Sequence, residues 1–83
     1  MDKAEKILAA MRNTKAGWKP EEFETLLLHY GFKFRESGDT FYFHPRFREL
    51  FLKVPRHRKL KSVYADKAVK LIDRLIELET SNE

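Results

Sequence analysis

The stretch FKFRESGDTFYFHP, residues 32–45, decides the fold that we predict for this chain. Phe32 and Phe34 alternate with basic residues, and this period of two is typical of a β-strand. Residues 37–39 have the composition of a turn, and the aromatic run that follows favours a second strand ending at Pro45. The sequence therefore predicts a β-hairpin near the centre of the chain.

Helical patterns flank this hairpin on both sides. Apolar residues at helical spacing predict a short helix over residues 3–12 and a second helix that starts at Pro20 and stops at Gly31. After the hairpin, residues 50–54 are predicted as a third strand, and Ser62 is a suitable N-cap for a long final helix. The predicted order is α-α-β-β-β-α, which is an α+β fold.

The length of 83 residues favours one domain, and we predict a single domain over residues 1–83. Residues 1–18 are expected to form an N-terminal helix and a link, residues 19–79 the core, and residues 80–83 a frayed tail. Three short strands cannot bury both faces against three helices of this size. The helices are therefore expected on one face of an open, three-stranded antiparallel sheet.

Strand alternation divides the sheet residues between the two faces, although the aromatic middle strand tolerates either phase. The residues expected to face the helices are Phe32, Phe34, Phe41, Phe43, Leu50, Leu52 and Val54. The residues expected on the open face are Lys33, Arg35, Thr40, Tyr42, His44, Phe51 and Lys53. The open face would then combine basic and aromatic side chains.

Positive charge is concentrated in one segment. Residues 46–61 contain seven basic residues and one acidic residue. Residues 1–45 have seven of each kind, and residues 62–83 have three basic and five acidic residues. A localised basic stripe is typical of a phosphate-binding surface. Judged from charge alone, a solubilising surface loop is an equally good interpretation.

Several classes of protein are excluded or disfavoured. The chain has no cysteine, which excludes disulfide bonds and thiolate metal sites and fits a reducing compartment. No apolar segment is long enough for a signal-peptide core or a membrane span. His29, His44 and His57 lack metal-site spacing, and no phosphate-binding glycine loop is present. We expect a cytoplasmic protein without a metal, a cofactor or a membrane partner.

Basic side chains beside aromatic rings suggest an RNA platform, because cations hold phosphates and rings stack on unpaired bases. The basic segment after the third strand would extend this surface. A partner protein covering the open face, with Tyr42 and Phe51 as anchors, is an equal alternative. The residues predicted to bind single-stranded mRNA are Lys33, Arg35, Tyr42, Lys53, Arg56, His57, Arg58, Lys59 and Lys61.

Several motifs resemble the HicA toxins, small bacterial mRNA interferases of type II toxin–antitoxin modules. They are an aromatic strand ending in FHP, a strand ending in VPRH, and a final helix opening with LKSVYADKAVKLID. The resemblance covers residues 20–78 and is most specific over residues 54–75. It implies a double-stranded-RNA-binding-like α-β-β-β-α unit, preceded by the extra helix of a longer HicA-like subgroup. It also implies mRNA cleavage as the activity and a HicB-like antitoxin as the partner.

One feature of the family pattern is missing. HicA toxins carry their catalytic histidine just after a Gly-Ser turn, at the start of the second strand. No histidine stands at residues 39–41 of this chain. His44 and His57 match secondary histidines of the pattern and are the candidates for a catalytic base. The sequence predicts an RNA-binding HicA-like toxin with weak or lost ribonuclease activity, or alternatively an inactive module that binds a HicB-like antitoxin.

Overall fold

The computed structural model describes residues 2–56 and 60–81. Within these residues, three helices and three strands follow one another in the predicted order, and the α+β class is confirmed. The helices are α1 (Lys3–Asn13), α2 (Pro20–His29) and α3 (Ser62–Ser81), and the strands are β1 (Lys33–Ser37), β2 (Asp39–Phe43) and β3 (Phe51–Val54). Helix α3 runs two residues beyond the predicted boundary at residue 79.

The helices start and stop at residues suited to those positions. Asp2 caps α1, because its carboxylate accepts a hydrogen bond of 3.0 Å from the backbone N–H of Glu5. Pro20 occupies the first turn of α2. Gly31 follows this helix with a φ of 90°, a conformation that glycine adopts at little cost. None of the helices in the described part of the chain has both the length and the apolar character needed to cross a membrane.

The strands form an antiparallel sheet in the order β1-β2-β3. Gly38, with a φ of 83°, is the single residue at the centre of the β1–β2 turn. Counting outward from this turn, Phe34 lies opposite Tyr42, and Tyr42 lies opposite Leu52 of β3. These three residues share the side of the sheet that faces the helices.

The middle strand is turned the opposite way from the prediction. Tyr42 and His44 are buried on the helix side, with 2% and 6% of their surface exposed. Because the turn has one central residue, even-numbered residues of β1 and β2 share a side, so Phe34 and Tyr42 lie together. The predicted sides of Thr40, Phe41, Tyr42, Phe43 and His44 are therefore all wrong, whereas Leu52, Val54 and the exposed Phe51 lie as predicted.

One hydrophobic core joins the helices to the sheet. Its largest fully buried side chains are Met11, Phe23, Leu26, Leu27, Val54, Ile72 and Leu75. Met11 belongs to α1, so the N-terminal helix is part of this core. Leu60 is also buried, and its N–H donates a hydrogen bond of 2.9 Å to the C=O of Trp18. This bond fixes the approach to α3 beside the link between α1 and α2.

Candidate nucleic-acid interface

Three phenylalanine rings lie together on the open face of the sheet, and we call Phe41, Phe43 and Phe51 the phenylalanine platform. The ring centroid of Phe41 lies 6.3 Å from that of Phe43 and 5.8 Å from that of Phe51. The ring planes differ by 26° and 25° in the two pairs. Phe51 is the most exposed, at 57% of its surface. Phe41 is also exposed, and Phe43 is half-buried. Exposed aromatic rings offer surfaces on which unpaired bases can stack.

Basic side chains flank the platform on both outer strands, and we call Lys33, Arg35 and Lys53 the basic frame. Lys33 lies opposite Phe43, and Arg35 and Lys53 lie opposite Phe41 on its two sides. The guanidinium carbon of Arg35 is 5.6 Å from the ring centroid of Phe43, within cation–π range. The ammonium nitrogen of Lys53 is 3.5 Å from a carboxylate of β2. This exposed ion pair contributes little and leaves the cation accessible to a phosphate.

Arg56, the first predicted RNA-binding residue after β3, does not join this face. Arg56 lies on the helix side of the sheet, where it forms a salt bridge with Glu36 beside Tyr42. The prediction that Arg56 extends the open face is therefore wrong. Lys61 is exposed just before α3. The predicted residues His57, Arg58 and Lys59 lie outside the described residues.

Tyr42 is not available for stacking on a base. Its ring is enclosed between sheet and helices, and burial, together with the charges of Glu24 and Glu36, raises the pKa of its hydroxyl. The platform position predicted for Tyr42 is occupied by its neighbours Phe41 and Phe43, which the sequence-based assignment misses. The length of the turn at residues 37–39 sets the phase of β2 and would identify them, but the composition of the turn does not reveal that length.

His44 was expected on the open face as a general base, and the structure places it in the connection between β2 and β3. Its Nδ1 accepts a hydrogen bond of 3.1 Å from the backbone N–H of Arg46. Its ring meets Phe32 edge-on at a centroid distance of 5.0 Å. Gly31 leaves room for the imidazole, since a Cβ at that position would lie 3.3 Å from Nε2. These contacts make His44 a packing residue of the core.

Burial also determines the protonation state of His44. Desolvation lowers its pKa and outweighs the charge of Glu79 and the backbone of Tyr30, which act in the opposite direction. The imidazole is thus neutral near pH 7, which suits a base, but it lies on the side of the sheet opposite the platform. Among the residues that the structure describes, the open face carries no histidine.

A group of possible metal ligands lies at the start of α1, where the histidine spacing did not indicate a site. Asp2, Glu5 and His29 offer ligand atoms within 4.8 Å of one another, and all three side chains are exposed. The carboxylate of Asp2 already caps α1, and it lies 3.6 Å from Nε2 of His29. Helix capping and the charge of the helix end explain this group without an ion.

Comparisons with known proteins returned no relative: no protein-family model, curated protein or solved structure matched the chain. Any assignment of function therefore depends on the phenylalanine platform, the basic frame and the sequence motifs themselves.

Proposed function

We propose that this protein binds single-stranded RNA on the open face of its sheet. The observation that carries the proposal is the placement of the phenylalanine platform inside the basic frame. Rings stack on bases and cations neutralise phosphates, and here both act on one surface. An exposed cluster of large apolar side chains is also a common mark of a binding surface.

We further propose that the chain is a HicA-like toxin component that acts on mRNA in the cytoplasm. Two observations support this proposal: the motifs at FHP, VPRH and the start of the final helix, and the element order from α2 to α3. That order fits a double-stranded-RNA-binding-like unit, to which α1 is added. A HicB-like antitoxin is the protein partner that this proposal implies.

RNA binding is tested by fluorescence anisotropy with fluorescein-labelled oligouridylate. Phe51→Ala removes the most exposed ring of the platform and should weaken binding by about 1–3 kcal/mol, or roughly 5- to 150-fold. Ile76→Ala is the matched control, since Ile76 is also an exposed apolar residue, at 43%, but belongs to α3. Equal losses, or no loss, in the two variants would mean that RNA does not stack on the platform.

We expect RNA cleavage to be slow or absent. The described open face carries no histidine, and general acid–base catalysis typically contributes about 10²- to 10⁴-fold in rate. Gel electrophoresis of a transcript incubated with the purified protein measures this, and His44→Ala should leave any residual rate unchanged. Fast cleavage that either His44→Ala or His57→Ala abolishes would instead identify a working ribonuclease with a relocated base.

A second function also has support on the open face. Exposed aromatic residues serve as anchors at protein interfaces, so the platform could instead contact a HicB-like partner in a chain without ribonuclease activity. If an acidic protein is encoded beside this one, its binding to this chain can be measured as the test. A stable complex that Phe51→Ala weakens, together with no measurable RNA binding, would favour this second function.

A further inference from the structure

A groove runs along the outer edge of the sheet, between β3 and α3, and we call it the edge groove. Strand β3 has β2 on one side and no strand on the other among the described residues. The groove has a volume of about 400 Å³, an apolar floor and a basic wall. Leu50, Leu52 and Leu71 belong to the floor, and Lys67, Lys70 and Arg74 form the wall. Glu49 and Phe51 also line the groove, so its lining carries three cations and one acid.

The backbone of β3 offers hydrogen-bonding groups to this groove. The N–H of His44 donates a hydrogen bond of 3.1 Å to the C=O of Leu50, so the backbone polar groups of Leu50 point toward β2. In an antiparallel pair such residues alternate, so Leu52 also points toward β2, whereas Phe51 and Lys53 point their N–H and C=O groups outward. Among the described residues, no turn or loop hydrogen bond uses these outward groups. They are a template for another strand.

The basic wall determines the charge of a suitable ligand. Lys67, Lys70 and Arg74 lie three and four residues apart, so they project from one side of α3. Lys70 pairs with Asp66 at 3.0 Å and Arg74 with Glu77 at 3.1 Å. Both pairs are between exposed side chains and are weak, so these cations remain able to contact a ligand.

We propose that the edge groove binds an extended, acidic segment of a partner protein, which joins the sheet as a fourth strand beside β3. Strand addition next to a helix-walled groove is a recurrent mode of peptide recognition, in which backbone bonds provide affinity and side-chain pockets provide specificity. Alternate side chains of the segment would point into the groove, where apolar ones meet the leucine floor and acidic ones meet the basic wall. This site adjoins the phenylalanine platform, because Phe51 carries a ring of the platform and also lines the groove.

Two other occupants fit the groove less well. Two copies of this chain joined edge to edge by a twofold axis would bring two sets of Lys67, Lys70 and Arg74 together, and like charges repel. RNA phosphates cannot donate hydrogen bonds to the outward C=O groups of Phe51 and Lys53. The 2′-hydroxyls and base N–H groups of RNA do donate, but they do not alternate with acceptors at the spacing of a β-strand. An acidic peptide strand satisfies both the backbone groups and the cations.

The test is an NMR titration of the isotope-labelled full chain with a capped peptide, Thr-Val-Thr-Glu-Thr-Val-Thr. Binding should shift the amide signals of Phe51 and Lys53 and slow their hydrogen exchange, with further shifts at Lys67 and Arg74. Only one edge of the peptide strand can face β3. We therefore compare two N-methylated peptides: the first is methylated on its Thr residues, and the second on Val and Glu. Binding should be lost for the peptide methylated on the edge that faces β3 and kept for the other peptide.

Charge changes complete the test. Replacing the peptide's Glu with Lys should weaken binding, and the double substitution Lys67→Glu and Lys70→Glu should weaken binding of the acidic peptide by about tenfold. Equal binding of both N-methylated peptides would overturn strand addition. Concentration-dependent shifts of Phe51 and Lys53 without peptide would assign the edge to a second copy. If oligouridylate displaced the peptide and caused the same shifts at Lys67, the edge groove would be assigned to RNA.

Discussion

At the scale of a single residue, His44 holds the connection between β2 and β3 in place. Its backbone N–H bonds to the C=O of Leu50, and its Nδ1 accepts from the N–H of Arg46. The ring occupies the space beside Gly31. An imidazole can accept at Nδ1 only while that nitrogen has no proton, so the connection requires neutral His44.

Acidification should therefore destabilise the protein through His44. Its pKa is lowered in the folded state, so the unfolded chain takes up the proton first. The contribution of His44 to the free energy of unfolding is complete above the pKa of about 6.5 that it has in the unfolded chain, and it is lost as the pH falls below that value. Thermal unfolding at pH 7.5 and pH 5.5 measures this loss. The wild type should lose more stability than His44→Asn, whose side-chain oxygen keeps the acceptor without titrating.

The pair of Arg12 and Asp73 also depends on pH, but it does not change between pH 7.5 and pH 5.5. The hydrogen bond from Arg12 lowers the pKa of Asp73, so the stability that this pair contributes is lost only in much more acidic solution. The same loss between pH 7.5 and pH 5.5 in wild type and His44→Asn would show that His44 is not the responsible group.

At the scale of the elements, the β1–β2 turn decides which residues face the helices. The alternation in β1 and the apolar positions of β3 predict their sides correctly, because each has one clearly apolar or clearly charged face. Strand β2 has three successive aromatic residues that suit either face, so its own sequence does not reveal its phase. A turn with one central residue, Gly38, pairs Phe34 with Tyr42, whereas a two-residue loop would have paired Phe34 with Phe41.

The residues of the candidate site also divide into those that strand alternation predicts and those that it does not. The basic frame and Phe51 lie on the outer strands, so alternation along the sequence predicts them. Phe41 and Phe43 require the turn length, which composition alone does not give. Arg56 follows Lys53 by three residues, so continued alternation places it on the side of Leu52 and Val54, where it meets Glu36. Grouping Arg56 with its basic neighbours in the sequence overlooks this alternation.

Helix α3 stabilises the protein through one face. Ile72 is fully buried, so Ile72→Ala should lower the free energy of unfolding by about 2–5 kcal/mol. Ile76 lies one turn further along and is 43% exposed, so Ile76→Ala should change the free energy of unfolding by about 0.5 kcal/mol or less. Urea unfolding of both variants measures the difference. Similar losses in the two would show that the buried face of α3 is assigned incorrectly.

At the scale of the whole molecule, the described cations are distributed over separate surfaces. The basic frame surrounds the platform, Arg56 is paired on the helix side, and the wall of the edge groove follows α3. The chain has a net charge of +4, which attracts any polyanion weakly and without orientation. Specific binding to the open face should therefore depend on the position of a cation as well as on the total charge.

Salt dependence separates these two kinds of attraction. If the three cations of the basic frame each contact one phosphate of a single strand, log K should fall with log salt at a slope of about −2, from roughly 0.7 per contact. Lys53→Ala should reduce the slope by about 0.7 and weaken binding to all sequences alike. Lys6→Ala removes an exposed cation from α1 and should leave the slope unchanged, because α1 packs against α2 and α3 on the helix side of the sheet. Anisotropy titrations in increasing potassium chloride measure all three slopes. Equal reductions in the two variants would mean that RNA responds to the net charge of the molecule, and the basic frame would then not be its binding site.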